Sequence, residues 1–384
     1  STLPFGRHRW VAATGPVAPL DIAEERPPSQ LGAWIEERSQ QRIDPVQGPG
    51  WHLGVLPMTD GTTAVTLVAS HCLLDHGAAT RTLIDAVNEE PRHFGYRAPR
   101  SRTRRAALSS DARQVVRDLP ELGRTVVAAV KFAYRSRREI SSAGASRPAV
   151  AAAGTDGPLV LPAVSAVVDA LEWDARASEL NGTGYSLLAG FAASLGERLG
   201  RARCSDGLVT LLIAMSDRGG ADDLRGNAMK IASATVDPAP VTADLTAARE
   251  AVREAVRRLA DPDEKHALLP ITPFVPVRAV RRTADLIFGD LPVSCSNLGE
   301  VPPEVARVDG TDAEIMLFRP VDQGVTRSAL ERAGGQLVVA AGRIAGTVSI
   351  GVVGYQVGVE NTREWLGDMV VRVLADFGLK GTII

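Results

Sequence analysis

The chain has 384 residues, 45% of them hydrophobic and 23% charged, with a net charge of −2. That length is beyond what a single core supports, so two domains or subdomains are expected. The balanced charge offers no case for nucleic acid as a partner. Cys72, Cys204 and Cys295 are too scattered for a disulfide framework or a zinc site and fit a reducing cytosol.

No run of 18 apolar residues suggests a membrane-spanning helix. No signal peptide is read at Ser1; the start Ser1-Thr2-Leu3 lacks Met, so the native N-terminus is expected upstream or trimmed.

In chain order, residues 7–13 suggest a strand and Pro27 to Arg42 a helix with Leu31, Trp34 and Ile35 on one face. Trp51 to Pro57 and Ala64 to Ala69 are apolar runs joined by Met58-Thr59-Asp60-Gly61, which predicts a hairpin. The second run ends at Ser70-His71, followed by Asp75, His76 and Gly77 and then a helix over Ala78 to Asn88. From Arg92 to Arg138 thirteen Lys or Arg face three acids, Asp111, Asp118 and Glu121. Leu119, Leu122, Val126, Val127, Val130 and Phe132 suggest an amphipathic helix there. It reads either as a solvated linker helix or as a surface for acidic lipid head groups or coenzyme A phosphates. The Ser-, Ala- and Gly-rich stretch 141–157 reads as a linker, so residues 1–140 form an expected N-terminal subdomain and 158–384 a C-terminal one.

Beyond it, strands are expected at Ala163 to Trp173, Leu208 to Met215, Ile231 to Val236, Leu291 to Ser296, Ala313 to Phe318, Gln336 to Ala341 and Thr347 to Val353. Helices are expected at Ser186 to Leu199, Leu245 to Leu259, Phe274 to Phe288 and Asn361 to Phe377. Interleaved helices and strands with a late hairpin predict an α/β or α+β fold with mixed sheets.

Three polar signals at predicted strand ends are candidates for chemistry: Ser70-His71-x-x-x-Asp75, Gly226-Asn227, and Ser294-Cys295-Ser296-Asn297-Leu298-Gly299. An imidazole takes a proton from a hydroxyl near neutral pH. Ser and Asn side chains, or amides beside a Gly, stabilise a developing oxyanion. Together they suit direct acyl transfer. A hydrolase nucleophile elbow, a P-loop, a dinucleotide-binding glycine motif and H-E-x-x-H spacing are all missing. Cys72 adjoins His71 but points to the opposite side of an extended chain, so a dyad is not expected.

The segment Ser70-His71-Cys72-Leu73-Leu74-Asp75-His76-Gly77 resembles the HHxxxDG region of the chloramphenicol acetyltransferase-like superfamily. That group includes nonribosomal condensation domains, polyketide-associated acyltransferases and wax ester synthase/diacylglycerol acyltransferases. Leu224-Arg225-Gly226-Asn227 and Val293 to Gly299 look like the G-N and S-N elements of the wax ester synthase branch. The resemblance implies two subdomains, each a mixed sheet with helices, and an active-site tunnel at their junction.

It further implies His71 as general base and Asp75 as the loop-fixing partner in the catalytic motif. Ser70, His76, Gly77, Asn227, Ser296 and Asn297 are then expected to contact substrate. Acyl-CoA or an acyl-carrier protein would be donor and a hydroxyl compound, of lipid type, the acceptor; no metal or cofactor is implied. The expected location is the cytoplasm, with peripheral association at an anionic inner membrane surface. The sequence departs from the pattern at Ser70 and His76, and the D-F-G-W-G motif of condensation domains is missing. An amide-forming condensation enzyme and a catalytically impaired binding or scaffold protein are therefore the alternatives.

Overall fold

The computed structural model describes residues 9–12, 18–135, 157–220, 222–259 and 291–384. By its own contacts the chain separates into two compact units. One gathers residues 1–15, 92–149 and 257–290, the other residues 16–91, 150–256 and 291–384. The expected strand at 7–13 falls partly outside the described residues and its described part, 9–12, has no regular structure. The linker at 141–157, except Gly157, and the helix at 274–288 also lie outside them.

In the first unit most of the basic segment forms one long helix, α3 (Arg104–Arg135). Asp111 is buried near its start and is held by Arg9 at 3.1 Å and Arg102 at 3.2 Å. No helix among the described residues is long and apolar enough to cross a membrane.

The second unit contains both sheets. The small one has order β1 (Asp21–Ile22), β2 (Trp51–Pro57), β3 (Thr63–Ala69), with β1 parallel and β3 antiparallel to β2. The β2–β3 turn closes as the sequence predicts: Asp60 accepts from the Thr62 amide at 3.0 Å and Gly61 takes a positive φ of 85°. Helix α1 (Leu31–Ser39) covers one face through Trp34, which packs with Leu56 and Met58. Helix α2 (His76–Val87) follows β3 and lays Leu83 and Ile84 against Val301, Val305 and Ile344.

The large sheet has seven strands in the order β10-β4-β9-β8-β7-β5-β6. These are β4 (Ala163–Asp169), β5 (Val209–Ser216), β6 (Met229–Val236), β7 (Val293–Glu300), β8 (Gln336–Ile344), β9 (Thr347–Tyr355) and β10 (Thr382–Ile383). β7 lies parallel to both β5 and β8; the other neighbours run antiparallel, so the sheet is mixed. Its core helix is α5 (Gly184–Arg198), buried continuously from Ser186 to Gly196, as an all-round apolar helix requires. A Cβ on Gly196 would sit 2.9 Å from Val293, so glycine there allows the helix to approach the sheet closely. Helices α4 (Ala170–Glu179), α6 (Thr246–Arg258), α7 (Arg327–Ala333) and α8 (Arg363–Asp376) complete the described set.

Three expectations change. The strand predicted over 163–173 stops at Asp169, whose carboxylate accepts from the amides of Leu171 and Glu172 and starts α4 there. The strand expected at Leu291 to Ser296 continues through Asn297 to Glu300. The expected strand at Ala313 to Phe318 does not form. β4 and β8 already occupy both edges of β9, and the segment instead crosses β9's face: the Phe318 amide donates to the Ser349 hydroxyl at 3.1 Å.

A Cβ on Gly351 would meet the Phe318 carbonyl oxygen at 2.0 Å and the Arg319 Cα at 3.0 Å. Gly351→Ala is therefore expected to displace this crossing segment and lower stability by about 1–3 kcal/mol, the usual cost of overpacking. A lowered urea midpoint relative to the wild type checks it.

Candidate functional site

His71 follows the C-terminal end of β3 in a short turn, with its side chain exposed. The turn is local: the Cys72 amide donates to the Ser70 hydroxyl at 3.3 Å and the Leu73 amide to the Ser70 carbonyl at 2.9 Å. The His71 backbone is anchored from the large sheet's side. Asn227 Nδ2 donates to the His71 carbonyl at 2.7 Å.

Asp75 is the buried hub of the site, 5% exposed. Its Oδ1 caps α2 by accepting from the Ala78 amide at 2.9 Å, and also accepts from Arg218 Nη2 at 2.5 Å. Its Oδ2 accepts from the Ala228 amide at 2.8 Å, and its own amide donates to the Gly226 carbonyl at 2.9 Å. Burial pushes the Asp75 carboxyl up, but the Ala228 and Ala78 amides and the Arg218 guanidinium more than offset this and hold it below the usual carboxylate range. A Cβ on Gly77 would lie 2.9 Å from Arg218 Nε, so glycine follows His76 where the guanidinium passes.

Arg218 is the residue the sequence reading missed. It lies just beyond β5, in the loop to β6, and its Nη1 donates to the carbonyls of Asp223 at 3.0 Å and Arg225 at 2.6 Å. Arg81 of α2 reaches the same Asp223 carbonyl at 3.2 Å. Arg225 pairs with Asp223 and Asp217 and braces the loop. The only sequence signal for Arg218 was a basic residue in a polar loop ending in Gly226-Asn227.

His76 departs from the resemblance in a definite way. It opens α2, and its ring donates to the Leu298 carbonyl of β7 and stands edge-on to Phe318, centroids 5.7 Å apart. Burial lowers its pKa below the usual histidine value, against opposing effects from Asp75 and the Leu298 bond, so it is neutral at physiological pH. His76 thus ties the start of α2 to β7, as Asp75 ties it to the β5–β6 loop.

On β7, Ser296 sits between Ala214 and Ala340 in the ladder. Asn297 is exposed at a register shift, with its Oδ1 accepting from the Gly299 amide at 3.0 Å and Gly299 at φ 74°. Asn297 lines a cavity of about 180 Å³. Cys295, just before Ser296, is buried and its thiol is pushed up to about 12, so it is unreactive. The structure therefore bonds His71 to Asn227 and Asp75 to Arg218, and Asp75 also bonds the backbone of Gly226 and Ala228 on either side of Asn227. His76 links this group to Leu298, next to Asn297.

Replacing Asp75 by Asn leaves the buried guanidinium without its counter-charge, a change that costs about 3–5 kcal/mol. The Asp75 carboxyl is held below its unfolded value, so its contribution is fully present above about pH 4 and is lost as pH falls further. Urea unfolding of wild type and Asp75→Asn should therefore differ most at neutral pH and converge toward pH 3.

No family model and no curated protein matches this sequence. Solved structures do. The first condensation domain of the CDA synthetase aligns over 98% of this chain and 79% of its own, with 13% identity and a TM-score of 0.51. The SgcC5 protein from Streptomyces globisporus aligns over 95% and 81%, with 13% identity and a TM-score of 0.50. A wax ester synthase/diacylglycerol acyltransferase from Marinobacter aquaeolei VT8 aligns over 93% and 78%, with 14% identity and a TM-score of 0.49. The two-sheet α/β architecture of this chain is the condensation-domain, chloramphenicol acetyltransferase-like fold.

Proposed function

We propose that the protein moves an acyl group from a thioester donor, acyl-CoA or an acyl-carrier protein, to a hydroxyl acceptor, with His71 as general base. The observation that carries this reading is an exposed imidazole on a backbone held from both sides, by Asn227 at its own carbonyl and by Asp75 four residues on. The fold it shares with condensation domains, an acyl- and amide-transfer fold, supports the same class of reaction.

In this mechanism the His71 ring takes the proton from the acceptor hydroxyl as the oxygen attacks the thioester carbonyl. A tetrahedral intermediate forms, with its oxyanion met by an amide donor such as Asn297 Nδ2. Collapse breaks the carbon–sulfur bond and the imidazolium returns its proton to the leaving thiolate, so the base is regenerated without metal or cofactor. Asp75 has no part in proton transfer here: both its oxygens are occupied by Ala78, Ala228 and Arg218, and its role is to position the His71 turn.

His71→Ala should cut thiol release from an acyl-CoA and alcohol panel at least about 100-fold, with thermal unfolding unchanged because the ring is exposed. Near-normal release would remove His71 from the mechanism. A folded wild type that binds acyl-CoA or alcohols without releasing thiol would favour the binding-protein alternative that Ser70 and His76 suggest.

A further inference from the structure

The cavity beside Asn297 bears on which acceptor the proposed reaction takes. It lies between helices α4 and α5 and the ends of β7, β8 and β9, walled by Trp173, Tyr185 and Leu188 on the helix side and Gly342 and Val348 on the sheet side. Its volume, about 180 Å³, is close to that of an apolar cavity of roughly 150 Å³ known to hold one benzene ring.

The walls are set by fixed contacts. The Trp173 indole N–H donates to the Gly184 carbonyl at 3.3 Å, which holds the ring in place. Gly342 packs so closely on Phe318 that a Cβ would meet that ring at 2.8 Å, and Phe318 in turn meets His76. Two polar groups on the lining have capacity to spare among the described residues. The Tyr185 hydroxyl reaches only Met215 Sδ, at 3.9 Å, and Asn297 uses its oxygen on Gly299 while its Nδ2 has no partner.

The charges around this cavity decide between the two substrates. Arg343 makes a two-pronged pair with Asp174 at 2.7 and 2.8 Å and also meets Glu300 at 3.3 Å. Arg343, the one cation among the lining residues, is paired with both carboxylates, so the cavity offers no free cation to hold the phosphates of coenzyme A and suits a neutral molecule. The Arg343–Asp174 bond also ties β8 to α4 and holds the cavity to its present width.

We propose that this cavity seats the acceptor, and that the acceptor is a neutral alcohol carrying one compact apolar group, an aromatic ring or a short branched chain, rather than a long straight chain. The apolar group occupies the space between Trp173, Tyr185 and Val348, with the hydroxyl at the Asn297 end of the cavity. This rests on the acyl-transfer reading above for the word acceptor; the seat itself does not depend on it.

The test is calorimetric binding of benzyl alcohol and 1-decanol to the full chain, in wild type, Tyr185→Ala and Val348→Phe, each first shown to unfold cooperatively. Wild type should bind benzyl alcohol, and 1-decanol at least roughly tenfold more weakly, the scale on which an apolar pocket discriminates by size. Tyr185→Ala, which widens the cavity, should narrow that gap; Val348→Phe, which fills it, should weaken benzyl alcohol at least roughly tenfold. Equal binding of the two alcohols by the wild type, or unchanged benzyl alcohol binding in a folded Val348→Phe, overturns the proposal. Binding as expected with no thiol release in any variant would sink acyl transfer and leave the seat standing.

Discussion

The pairing of Asp75 with Arg218 is the constraint on which the site depends. Neither group is stable alone where it lies, since an unpaired buried charge costs several kcal/mol. Together, with the Ala78 and Ala228 amides, they fasten the segment after β3 to the β5–β6 loop. The same carboxylate begins α2. One side chain therefore sets where the helix starts, how the His71 turn leaves the small sheet, and which part of the large sheet lies beside it.

His76 extends this fastening to β7. A glycine in its place would leave the start of α2 without a side chain there; the imidazole instead fills the space against Phe318 and donates to Leu298. Being held neutral, it makes these contacts without needing a counter-charge. Phe318 reaches that position because its segment crosses the face of β9 against Gly351 and is bonded to Ser349. Gly342, close to Phe318 on the next strand, then borders the cavity. Contacts of this kind link the start of α2, through Phe318, to the strands that border the cavity.

The division of labour between the two motif residues follows from exposure. His71 is open to solvent and has no hydrogen bond to its ring among the described residues, so it is free to meet a substrate. Asp75 is closed in and saturated with donors, so it is suited to holding and not to proton transfer. Cys72, exposed beside His71, and Cys295, buried on β7, differ in the same way, and burial alone is enough to silence the second.

Much of this was legible in the chain because it is local. Two apolar runs with Asp60-Gly61 between them mark the β2–β3 hairpin, and the strongly apolar run from Ser186 to Leu199 marks α5. The residue types at 70–77 likewise marked a strand end with titratable groups. What only tertiary structure decided depends on partners far away in the chain. Asp75 finds Arg218 143 residues on, and no pattern around either residue names the other. Residues 313–318 have the composition of a strand, yet β9, the strand they cross, already has a neighbour on both edges. The cavity beside Asn297 is drawn from two helices and three strands. Periodicity and capping are properties of neighbours along the chain, whereas charge pairing, edge occupancy and cavity shape exist only once distant segments have packed.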